Sequence, residues 1–106
     1  MRIVVLFNLK PNVDTAAYEE WARTRDLPGV RALVSVDEFQ LYRAKGLLGG
    51  GASPTAQYIG IMEVNDREGF DRDFASESGR KLTAELEAFA DGLQFIVTEP
   101  LSEIRT

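Results

Sequence analysis

The chain has 106 residues, twelve basic against seventeen acidic for a net charge of -5, and contains neither cysteine nor histidine. That length holds one hydrophobic core and no second domain. The missing side chains exclude disulfides, thiolate nucleophiles, zinc–thiolate and iron–sulfur centres, the usual haem ligand and any Ser-His-Asp or Cys-His catalytic arrangement. The acidic balance and the dispersion of the basic residues argue against nucleic acid and anionic membrane as partners. No stretch approaches the ~18 apolar residues of a membrane span. The N-terminus lacks the cleavage site of a signal peptide, so the cytoplasm is the expected location.

Arg2 to Leu9 is rich in β-branched and aromatic residues and stops at Lys10-Pro11-Asn12, which predicts a first strand and a turn. Asp14 is placed to cap a helix over Thr15 to Arg25, with Tyr18, Trp21 and Ala22 on one face. Asp26-Leu27-Pro28-Gly29 then interrupts it, because a residue before proline avoids the helical region; a short helical turn over Val30 to Leu33 follows. Val34 to Ala44 reads as the second strand, with a bulge near Asp37 where the alternation slips. Gly46 to Gln57, containing Gly49-Gly50-Gly51, predicts a long hairpin connection. It follows a strand without the Gly-Lys-Ser/Thr ending of a phosphate loop, so a flexible loop or a lid is expected rather than a nucleotide site.

Tyr58 to Val64 resumes as a third strand. Asn65, with Glu68 three residues on, resembles a capping box opening a helical region that Ser76 to Gly79 kinks or splits. Asp91-Gly92 reads as the helix stop and Leu93 to Thr98 as a final strand ended by Pro100. The order β-α-β-β-α-β predicts an α+β, ferredoxin-like fold with a four-stranded antiparallel sheet and its helices on one face.

Both faces of that sheet are apolar. In the first strand Ile3, Val5, Phe7 and Leu9 oppose Val4 and Leu6, and in the third Tyr58, Met62 and Val64 oppose Ile59 and Ile61. Helices cover one face only, so a second copy on the other is expected, giving a C2 homodimer; a sheet covered by its own termini is the alternative.

The segment Phe7 to Phe39, FNLKPNVDTAAYEEWARTRDLPGVRALVSVDEF, carries a resemblance. Its NLKP turn, YEEWAR helix, DLP break followed by VRAL, and SVDEF strand entry, with FADGLQFIVTE near the end, resemble the RedY-like (HapK) family. These are small members of the dimeric α/β-barrel superfamily, associated with prodigiosin-type bipyrrole pigments and related indole or pyrrole products. The resemblance implies a homodimeric barrel with a pocket between sheet and helices. It further implies action on a small aromatic intermediate with no cofactor: no flavin, haem or metal. The reaction stays open, since the superfamily includes oxygenases, isomerases, decarboxylating enzymes and binders. The family pattern also implies an acid in the third strand where this chain has Gly60, so any role of that carboxylate is lost or taken by Glu63.

The residues suggest the following site. Tyr18 and Trp21 share the inward helix face, as core aromatics or as a pocket wall for a planar ring. Asn8 ends the first strand, capping the turn or offering an amide to a ligand. Asp26 caps the short helical turn or, held near Trp21, serves as a general base. Arg43, in phase with Phe39 and Leu41, is suited to anchor a ligand carboxylate or to lie in solvent or at an interface. Glu63, in phase with Ile59 and Ile61, is a strand-end acid or a buried catalytic one. Two functions follow: a cofactor-independent enzyme of pigment or alkaloid biosynthesis with Asp26 and Glu63 as its acids, or a non-catalytic dimeric protein that holds an intermediate or a partner enzyme.

Overall fold

The computed structural model describes residues 1–102. Strand β1 (Arg2–Leu9) runs as its alternation predicts, burying Ile3, Val5 and Phe7 on one face. Asp14 accepts the Ala16 N–H at 3.1 Å and opens helix α1 (Thr15–Trp21). The helical path then continues where a break was expected. A π-helical turn over Ala22–Asp26 leads directly into α2 (Leu27–Arg31), with Leu27 itself helical and its N–H reaching back to the Ala22 carbonyl. Pro28 donates no hydrogen bond and its ring crowds the preceding turn, and the wider π turn makes room for it without ending the helix. Asp26 consequently lies inside a helix, in right-handed conformation, and its side chain caps nothing.

Strand β2 (Val36–Arg43) follows, with the register shift falling at Asp37 as the pattern predicted. Residues 44–57 form the long connection to β3 (Tyr58–Val64), and Gly49, Gly50 and Gly51 all take positive φ there. The next helix, α3 (Arg67–Ala75), starts one residue later than expected, with Asp66 at its N-cap. Asn65 instead donates its side-chain amide to the Val34 carbonyl and to Asp37, holding the entry to β2. Ser76 leaves the helical region and caps α4 (Glu77–Phe89) by accepting the Gly79 N–H. The split is tight enough to demand glycine, because a Cβ at Gly79 would sit 2.2 Å from the Asp73 carbonyl oxygen. Strand β4 (Ala90–Val97) begins directly after Phe89. Asp91-Gly92 is therefore a bulge within the strand and not a helix stop: Gly92 has φ +65°, and the register against β1 shifts between Leu6 and Asn8.

The strands order as β2-β3-β1-β4, all antiparallel, the ferredoxin-like topology. The helices pack on one face over Ile3, Val5, Phe7, Tyr58, Met62 and Val64, giving a slab of 39 × 36 × 20 Å. Val4, Leu6, Ile59, Ile61 and Ile96 lie on the other face, which the described residues leave uncovered, and Leu101 projects fully into solvent.

Candidate functional site

Two cavities lie back to back between the helices and the sheet. The outer one is a cleft of about 370 Å³ between α1, the π turn and the ends of β2 and β3. Tyr18, Leu27, Leu41 and Tyr58 line it with apolar surface, and Glu19, Arg23, Arg43 and Lys45 give it charge. The inner one is a far smaller space of about 30 Å³ over the sheet, walled by Phe7, Phe39, Met62, Leu82 and Phe95, with Asp26 as its carboxylate. Among the described residues, Leu41 is the wall common to both. Gly60 is its partner in β3, and a Cβ there would meet Val5 at 3.2 Å, Leu41 Cδ2 at 3.3 Å and Phe39 at 3.4 Å, so the missing side chain is what lets these three pack closely over the strand.

In the outer cleft the single acid is fully paired. The Glu19 carboxylate accepts two bonds from Arg43, at 2.7 and 2.6 Å, one from Tyr58 Oη at 2.7 Å and one from Arg23 at 3.2 Å. Bidentate pairing with Arg43, then the Tyr58 hydroxyl, holds its pKa down to about 2. Burial and, secondarily, Glu19 push the Tyr58 hydroxyl up to about 12.

The inner cavity is the opposite. Asp26 is 6% exposed and finds no hydrogen-bond donor among the described residues. Burial in apolar surroundings, with a smaller contribution from the Glu85 charge, raises its pKa from 3.8 to about 7. The Tyr18 hydroxyl is also buried without a partner, and burial together with the Asp26 charge pushes its pKa up. Among the described residues the Tyr18 hydroxyl is the buried side-chain polar atom left without a partner, and Asp26 lines a space of about 30 Å³, room for one water. The π turn is what aims Asp26 inward, and such turns concentrate at functional positions.

The candidates from sequence therefore separate. Tyr18, Asp26 and Arg43 stand around the two cavities. Trp21 lies on the seam between α1 and α4, its Nε1 donating to Glu85 at 2.7 Å and its ring 5.5 Å from Phe89. Asn8 spends its amide on the long connection, donating to the Thr55 carbonyl at 3.0 Å and accepting the Gln57 N–H at 2.9 Å. Glu63 pairs with Arg2 on the uncovered face, opposite in parity to Gly60, so it cannot supply a carboxylate at the position Gly60 vacates. Glu19 and Tyr58 escaped notice in the sequence. Glu19 reads there as one more exposed helix acid, and the only signal was that Tyr58 shares the inward parity of β3. Among the described residues no cluster of three or more Asp or Glu could hold a metal ion, and no helix is long and apolar enough to cross a membrane.

No curated protein matches this sequence significantly. Similar solved structures include HapK from Hahella chejuensis, 21% identical with a TM-score of 0.78 over 100% of this chain and 98% of that one. The cofactor-independent oxygenase SnoaB from Streptomyces nogalater, in a mutant form, is 16% identical, with a TM-score of 0.65 over 96% of each chain. A dimeric ferredoxin-like protein of unknown function from Thermobifida fusca is 16% identical, with a TM-score of 0.68 over 90% of this chain and 85% of that one. At these identities the neighbours establish the fold. The family model described as REDY-like protein HapK matches residues 1–101, nearly the whole sequence, and this chain accordingly belongs to the HapK (REDY-like) family.

Proposed function

We propose that this protein is a cofactor-independent enzyme that moves a proton on a small aromatic intermediate, of pyrrole or indole type, in secondary metabolism of the prodigiosin kind. The observation that carries the reading is Asp26: a buried carboxyl without a donor, with a pKa near 7, facing an internal cavity. A group poised near neutrality is populated in both protonation states at working pH, which is what a general acid–base needs. The Tyr18 hydroxyl is the neighbouring free donor. The cleft admits the ring and Leu41 separates it from the acid, so productive binding requires that side chain to move aside. Membership of the HapK family and the fold shared with a cofactor-independent oxygenase support the metabolic setting and the absence of a cofactor. A chain without cysteine suits the reducing cytoplasm.

The working unit in this reading is a homodimer, the two uncovered sheet faces meeting to form a barrel, with Ile59, Ile61, Val4 and Leu6 at the contact. The shared fold with a dimeric ferredoxin-like protein supports it.

The test is hydrogen exchange in D2O, followed by proton NMR, on pyrrole and indole ketones and aldehydes. Protein-dependent exchange of a carbon-bound hydrogen, with a pH profile breaking near 7 and loss of at least 100-fold in Asp26→Asn, is expected. Binding of the same compounds with no exchange above the buffer rate would replace this reading with a non-catalytic carrier.

A further inference from the structure

A protein with a net charge of -5 has gathered three cations around one cleft. Arg23, Arg43 and Lys45 line it against a single carboxylate, Glu19. Glu19 is shared between Arg43 and Arg23, and Lys45 makes no ion pair among the described residues. The cleft thus retains a net charge of about +2 by this count, over a floor of Tyr18, Tyr58, Leu27 and Leu41. Its 370 Å³ lies at the small end of ligand pockets, suited to one or two fused rings.

We propose that the cleft takes a planar aromatic carboxylate, and that Glu19 occupies, in the empty protein, the place of the ligand's own carboxylate on Arg43. The geometry of the empty pair is the planar two-bond fork with which a guanidinium recognises any carboxylate, at 2.7 and 2.6 Å. The Arg43 side chain is 59% exposed and Glu19 13%, so the guanidinium is the partner reachable from solvent, and the ligand carboxylate has to match the fork it replaces. Glu19 does not become an orphan when Arg43 leaves, because Tyr58 Oη and Arg23 continue to donate to it. Lys45 then faces the incoming charge, and the rings lie on the tyrosines and leucines of the floor. The inference rests on the cleft being the entrance to the Asp26 cavity and adds the chemical class of what enters.

Calorimetric titration at low salt with 2-naphthoate and its uncharged isostere 2-naphthamide tests it, with amide-resolved NMR to locate binding. The naphthoate is expected to bind at least tenfold more tightly than the amide, and Arg43→Gln to remove most of that preference, with partial rescue in Arg43→Lys. Glu19→Gln is the decisive variant. It removes the competing charge yet keeps an acceptor for Tyr58, so it should tighten naphthoate severalfold and leave the amide unchanged; a purely structural ion pair predicts weaker binding or none. Should Glu19→Gln fold poorly, the Lys45→Gln and Arg23→Gln variants, whose side chains lie at the cleft rim, must each weaken naphthoate and spare the amide. Equal affinity for acid and amide, with shifts confined to the cleft, would overturn the anion preference and leave the cleft as a ligand site. Failure of both compounds to bind at millimolar concentration would overturn both.

Discussion

The outer cleft and the inner cavity share one wall and differ in nearly everything else. Glu19 is held by Arg43, Arg23 and Tyr58, and this pairing has driven its carboxyl down to about 2, so it stays ionised at any physiological pH. A few ångströms of packed side chain away, Asp26 has no donor and its pKa has risen to about 7. The same chemical group is thus fixed as an anion in one place and poised to exchange a proton in the other. Burial with pairing produces recognition; burial without pairing produces reactivity.

The largest expected effect that could break this contrast is the pH dependence of folding. An unfolded Asp26 ionises near 3.8 and the folded one near 7, so the folded protein holds the proton more tightly. Its contribution to stability is complete below about pH 4 and is lost as pH rises through 7, a ceiling of roughly 4 kcal/mol at about 1.4 kcal/mol per pH unit. Urea unfolding at a series of pH values should show this slope, and Asp26→Asn should flatten it. A wild-type curve level between pH 4.5 and 8 would mean that Asp26 is solvated like Glu19's exposed neighbours.

Next comes the wall. Leu41→Ala should merge the two cavities at a cost of about 2 kcal/mol, toward the low end for a leucine because the side chain is only half-buried. It should also let bulkier aromatics reach Asp26, seen as ligand-dependent displacement of the pH slope above. An unchanged slope with bound ligand would show that the cavities do not communicate there.

The smallest effect is that of the orphan hydroxyl. Tyr18→Phe removes a buried donor with no acceptor, so it should stabilise the protein by about 1 kcal/mol while slowing exchange on the substrate. Stabilisation with full activity would assign Tyr18 to packing against Phe7, Tyr58 and Phe89 alone. Loss of stability would mean that the hydroxyl is solvated.

Much of the fold was legible because its signals are local. Alternation in Arg2 to Leu9 and Tyr58 to Val64, the Asp14 cap, the bulge at Asp37 and the break at Ser76 each follow from a few neighbouring residues and the backbone rules they obey. Two of the misplacements share one cause, the assumption that turn-forming residues must end an element. Leu27-Pro28 was absorbed by a π turn and Asp91-Gly92 by a strand bulge, because packing against the sheet outweighed local preference in both.

Of the site, sequence supplied residue types and parity. Arg43 on the inward side of β2 and Tyr18 on the inward side of α1 were both readable from spacing alone. Sequence also determined that this chain belongs to a family of small ferredoxin-like proteins and that any chemistry must proceed without histidine or cysteine. The tertiary structure alone decided which acid is which. Asp26, Glu19 and Glu63 are all plain carboxylic acids in the sequence, and their differences arise chiefly from partners such as Arg43 and Arg2, 24 and 61 residues away, or, for Asp26, from burial without a donor. A carboxyl's pKa is set by what surrounds it in space, and those surroundings exist only once strands and helices distant in the chain have packed together.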